Sequence, residues 1–130
     1  MINNFIGIPF LDFGRDYKGC DCAGLILLFY KDYLKINLEN FVDYISTNDR
    51  SNAEKIATYF NGKGFIKIPM NEKRLGDVAV FSILARPMHV GIVLSDNKYL
   101  HTNPGTDSHI ISSFHKYHNK VESIWRMSGK

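Results

Sequence analysis

Apolar and polar positions divide the chain into two textures. Ala23 to Tyr30 is apolar throughout, interrupted only by Gly24. A helix that is apolar nearly all round is buried on most of its sides. Asp21 is a good N-cap, so the pattern predicts a helix from Cys22 to Leu34, central to the domain. Gly7, Pro9, Gly14 and Gly19 make residues 1–20 an expected irregular lead-in. Further on, Leu38 to Ile45 reads as a short helix. Ser51 followed by Glu54 has the form of a capping box. The helix it opens is expected to reach about Phe60 and stop at Asn61-Gly62.

From Gly64 the texture changes to short runs of alternating and β-branched residues. Phe65 to Ile68, Asp77 to Ile83, His89 to Leu94, Lys98 to His101, Ser108 to Ser112 and Val121 to Arg126 read as strands. Helices first and strands second give an α+β class: a central N-terminal helix on an antiparallel sheet of about five to six strands.

The strand from His89 and the strand from Lys98 form an expected hairpin. If Ser95 to Asn97 make a three-residue turn, Leu94 pairs with Lys98 and Ile92 with Leu100. Val90, Ile92, Leu94 and Leu100 then share an apolar face, and His89, Gly91, Val93, Tyr99 and His101 share the other. Gly91 lies opposite His101, with His89 as the diagonal neighbour, roughly 7–8 Å away by backbone and within reach of a second imidazole. Gly91 leaves a gap into which the two rings lean. A two-residue turn would move His101 to the opposite face.

Composition narrows the class. The chain has 130 residues, 45% of them hydrophobic, which fits a single domain spanning 1–130 with a real core. The net charge of +3 comes from scattered residues. It forms no basic stripe, so nucleic acid is not the expected partner. The start, Met1-Ile2-Asn3-Asn4-Phe5, has neither a basic nor an apolar signal region, so no secretory signal is expected. No apolar run reaches the roughly 20 residues needed to insert in a membrane. Cys20 and Cys22, one residue apart, are too close for an unstrained bridge and read as thiols.

Cys22 falls on the first turn of the predicted helix, where free amides and the helix dipole favour a thiolate. Ala23 and Gly24 leave its sulfur uncrowded. A nucleophilic thiol needs a base, and a base needs an orienter. His89 and His101 supply such a pair. The plainer readings are an inert buried cysteine and two half-exposed strand histidines. His109, His115 and His118 show no comparable placement.

These residues resemble those of NlpC-type papain-like cysteine peptidases. Gly19-Cys20-Asp21-Cys22-Ala23-Gly24-Leu25-Ile26 resembles the family's nucleophile segment, Gly76 to Phe81 its Gly-Asp strand, and His89 to Val93 its catalytic histidine segment. Leu100-His101 falls where the family carries a third polar residue. The resemblance implies a papain-like fold and a cysteine endopeptidase without cofactor or metal. Cys22 would be the nucleophile, His89 the general base and His101 its orienter, with Asp21, Ala23, Gly91 and Phe10 lining the site. The implied substrate is the stem peptide of peptidoglycan.

Three positions depart from the family pattern: Ala23 for serine, Cys20 for an aromatic residue, and Phe10 for a tyrosine whose hydroxyl lines the site. The lead-in Ile6 to Phe10, with Gly14-Arg15-Asp16, resembles phage tail-assembly and phage cell-wall peptidases. That likeness implies other tail proteins as partners, residence in the host cytoplasm during assembly and in the virion tail, and action at the bacterial wall. Two other readings stay open. One is a tail component with a decayed site. The other is a zinc module built from Cys20, Cys22, His89 and His101.

Overall fold

The computed structural model describes residues 2–38, 59–60, 64–83, 86–112 and 121–127. After a 3-10 turn at Ile2–Phe5, a small hairpin forms from β1 (Arg15–Asp16) and β2 (Gly19–Cys20). Helix α1 (Cys22–Phe29) follows and continues into a widened π turn, Tyr30–Leu34. The strands are β3 (Phe65–Ile68), β4 (Val78–Ile83), β5 (Arg86–Ser95), β6 (Lys98–His101), β7 (His109–Ser112) and β8 (Val121–Met127). They form one antiparallel sheet in the order β3-β8-β4-β5-β6-β7. This is the α+β architecture expected from the sequence. Of the short helix expected over 38–45 only Leu38 is described, and it is not helical; the capping box at 51–54 lies outside the described residues, and of the helix it opens Tyr59 and Phe60 are described and helical.

The all-round apolar pattern of α1 has its predicted consequence: every residue of Cys22–Phe29 except Leu27 is buried. Gly24 is needed because a Cβ there would collide with the Gly14 carbonyl oxygen, so the lead-in crosses directly over the first turn. At Tyr30 the amide is shared between the Ile26 and Leu27 carbonyls, where the helix widens. The Tyr30 hydroxyl donates to the Gly76 carbonyl at 2.7 Å, fastening the far end of the helix to the chain entering β4. There Arg126 of β8 grips both oxygens of Asp77 at 2.8 and 2.9 Å.

Alternation along the strands sorts side chains into two buried clusters. Val78, Val80, Val90, Ile92 and Leu100 pack with α1. Ala79, Phe81, Val93, Tyr99, Ile111 and Ile124 form the second cluster. The two faces of the β5–β6 hairpin are those read from the sequence. The turn itself differs. It has two residues, Asp96-Asn97, and Ser95 rather than Leu94 pairs with Lys98. The register shift between Val93 and Ser95 makes Leu94 a bulge. The bulge restores the residue that the shorter turn removes, so Ile92 still pairs with Leu100 and His101 keeps its face. The lead-in is also more regular than expected, because Lys18 donates its amide to the Asp16 carboxylate and closes the β1–β2 turn.

Candidate active site

Asp21 sets the start of α1. Its Oδ1 accepts the Gly24 amide at 2.8 Å and the Arg15 guanidinium at 2.7 Å, while Oδ2 accepts the Phe13 amide at 2.9 Å. The carboxylate is fully occupied, so Asp21 shapes the site as a cap and a loop anchor. Cys22 is the first helical residue, and it and Ala23 are fully buried. Cys20, two residues earlier, is a different thiol. Burial, and then the neighbouring Asp21 charge, push its pKa up to about 12, so it stays protonated at neutral pH.

The histidines converge. His89 on β5 and His101 on β6 are both fully buried. His89 Nε2 and His101 Nδ1 are 2.9 Å apart, with the rings edge-to-face at a centroid distance of 5.1 Å. Gly91 is required here. A Cβ on it would stand 2.9 Å from the Leu100 carbonyl oxygen, 3.1 Å from the Phe81 ring and 3.3 Å from the His101 Cβ. The atoms nearest the space above Gly91 therefore belong to Leu100, to the Phe81 ring and to the base of His101. Phe81 pairs with His89 across β4–β5, and its ring lies 5.4 Å from the His89 ring and 6.3 Å from the His101 ring. Burial pushes the His89 pKa down to about 4, and the nearby His109 pushes the same way.

His109, given no role by the sequence, belongs to the cluster. It pairs with His101 across β6–β7, and the two Nε2 atoms are 3.1 Å apart. Its Nδ1 lies 2.7 Å from the Asp107 carbonyl oxygen. A register for β6–β7 would have revealed it, but the connection over 102–108 is too long for a turn rule to set one. His115 and His118 lie outside the described residues.

The lead-in ties the two halves of the site together. Ile8 exchanges backbone and hydroxyl bonds with Ser108, the residue before His109, at 2.9 and 2.8 Å. Phe10 bridges Cys20, and Pro9 and Leu11 bond the Cys20 backbone at 3.0 and 3.1 Å. Two residues of extended chain span at most about 7 Å, so the approach to Cys22 and the approach to His109 are held side by side. In addition, α1 packs against β5, the strand that carries His89. Among the described residues, no group of three or more His, Cys, Asp or Glu is placed to hold a metal ion, and the set Cys20, Cys22, His89 and His101 is no exception. Nor is any helix among them long and apolar enough to cross a membrane.

Residues 7–126 match the model of the NlpC/P60 family. The chain belongs to that family. Known NlpC/P60 structures share its fold. The NlpC/P60 domain of the peptidoglycan hydrolase SagA is 20% identical with a TM-score of 0.68, over 96% of this chain and 92% of that one. An NlpC/P60 family protein from Bacillus cereus is 16% identical with a TM-score of 0.69, over 98% and 40%. NlpC2 from Trichomonas vaginalis is 19% identical with a TM-score of 0.69, over 99% and 44%. The chain thus spans nearly all of the SagA domain but less than half of the other two proteins. No curated protein sequence matches it. The fold is that of NlpC/P60 peptidoglycan hydrolases, and the matched segment contains Phe10, Cys22, His89, His101 and His109.

Proposed function

We propose that the protein is a cysteine endopeptidase that cleaves peptidoglycan stem peptides. The Cys22 thiol passes its proton to His89 Nδ1, and the thiolate attacks the scissile carbonyl. The Cys22 amide, at the start of α1, supplies one donor to the developing oxyanion. As the adduct collapses the C–N bond breaks, the His89 imidazolium gives its proton to the leaving amine and an acyl-enzyme remains. Water, deprotonated by His89, then attacks the thioester and releases the acid and the thiol. His101 holds the His89 ring through the 2.9 Å bond to Nε2, which leaves Nδ1 as the atom that exchanges the proton. That buried bond, on the strand of the histidine motif, is the observation that carries the reading. The substrate class rests on the family and on the likeness to the SagA domain.

The test is incubation of the purified protein with cell-wall stem peptides, followed by mass spectrometry. Cleavage that survives a chelator and vanishes in Cys22→Ala supports the reading, and the fragment masses name the bond. No cleavage of any stem peptide would sink it.

A second reading is favoured by the complete burial of both Cys22 and His89 and by Phe10, which brings no hydroxyl to the site. In that reading the domain is a fitted part of an assembly and cuts nothing. Cleavage by the isolated chain decides between the two. The Ile6 to Phe10 lead-in supports a place in a phage tail, with other tail proteins as partners, the host cytoplasm as the site of assembly and the bacterial wall as the site of action. Absence of the protein from purified particles would count against a virion role.

A further inference from the structure

Three imidazoles and one carbonyl form an unbroken chain of short contacts. A bond between two neutral imidazoles needs one nitrogen that carries hydrogen and one that carries a lone pair. The direction of the chain is set at its outer end. The Asp107 carbonyl oxygen can only accept, so His109 Nδ1, 2.7 Å away, carries the hydrogen. In a neutral ring His109 Nε2 then accepts, and His101 Nε2 at 3.1 Å donates to it. His101 Nδ1 is in turn the acceptor, and His89 Nε2 at 2.9 Å donates. The lone pair of His89 is thereby assigned to Nδ1.

We propose that His109 is a positioning residue of this site: anchored on the Asp107 carbonyl, it fixes through His101 the tautomer in which His89 offers the Nδ1 lone pair to the Cys22 thiol. The inference rests on His89 being the base. Its chemistry is a single proton transfer: the S–H bond of Cys22 breaks, an N–H bond forms at Nδ1, and the imidazolium keeps its Nε2–H bond to His101. With the chain reversed, His89 would carry hydrogen on Nδ1 and could not accept the proton. The low pKa that burial imposes on His89 keeps the ring neutral at neutral pH, the state in which a tautomer must be chosen.

The anchoring is built into the fold. The β6–β7 register faces His109 with His101. Ser108 is clamped by Ile8 and donates its hydroxyl to the Phe5 carbonyl at 2.6 Å, which fixes the strand start from which His109 projects.

The test labels the histidine rings with nitrogen-15 and reads tautomers from long-range proton–nitrogen correlations at neutral pH. In the unmodified chain His89 and His101 should both show hydrogen on Nε2; hydrogen on His89 Nδ1 overturns the proposal. His109→Leu removes the acceptor, and His109→Gln restores one through its amide oxygen. Alkylation of Cys22 should slow between roughly tenfold and a hundredfold in the leucine variant, a part of the roughly hundredfold to ten-thousandfold that a positioned base supplies, and recover in the glutamine variant. Unchanged tautomers and alkylation in the leucine variant would also overturn it. If that variant fails to fold, the spectrum of the unmodified chain still decides. Expected tautomers without peptide cleavage would leave this inference standing and remove the peptidase reading instead.

Discussion

Arg15 and Asp21, six residues apart, form a 2.7 Å ion pair in which the carboxylate is completely buried. The same carboxylate takes the amides of Phe13 and Gly24, so one side chain holds the lead-in turn and the first turn of α1. Asp21→Ala should therefore cost more than an ordinary cap, on the order of 2–4 kcal/mol. Denaturant midpoints with an unchanged slope would measure it. A loss no larger than that of a surface substitution would mean that the carboxylate is dispensable.

Gly91→Ala places a Cβ between the Phe81 ring, the Leu100 carbonyl and His101. Strand and ring must give way, at roughly 1–3 kcal/mol of overpacking, and the His89–His101 bond is distorted with them. Turnover should fall steeply while the circular dichroism spectrum stays sheet-like. Gly91→Val should do worse and weaken the sheet as well, since the backbone itself lies in the way. Full activity in the alanine variant would show that the gap is not needed.

The two thiols should behave differently. Cys20, with its pKa raised to about 12 by burial, should resist alkylation at neutral pH in the folded protein. Cys20→Ser should keep most of the activity, at a cost of about 1–3 kcal/mol for a hydroxyl placed in the core. Complete loss of activity in a folded Cys20→Ser protein would contradict the division of labour between the two cysteines.

His89 makes the fold acid-sensitive. Its pKa falls from 6.5 to about 4 on burial, so between those values the unfolded chain binds the proton that the folded chain refuses. Stability from this group is fully present above about pH 6.5 and drains away as the pH drops towards 4, on the order of 3 kcal/mol in all. Urea midpoints across that window should fall in the parent and be flatter in a folded His89→Gln protein. Parallel curves would place the acid sensitivity elsewhere.

Much of this was legible because burial writes itself into pattern. The unbroken apolar stretch of α1 has one solution, a helix covered on nearly every side, and Asp21 marks its start. The His89/His101 pairing was legible because one face of the hairpin is apolar and permits a single register. The turn was misread because an insertion in the strand and a shorter loop cancel, leaving the same register for a different reason. His109 was missed because its position depends on a long connection whose length carries no register. The role of the lead-in was equally hidden: Ser108 and Ile8 meet through small polar groups that leave no periodicity.

The clamp between Ile8 and Ser108 also has a temporal meaning. It joins residues 100 positions apart, so the lead-in that bonds the Cys20 backbone cannot take its final place until Ser108 has left the ribosome. Contacts of such separation carry a large loop-closure cost and tend to form late. A nascent chain that already displays α1 and the first strands therefore still lacks the clamp that holds the lead-in beside His109, and gains it only as β7 begins to emerge.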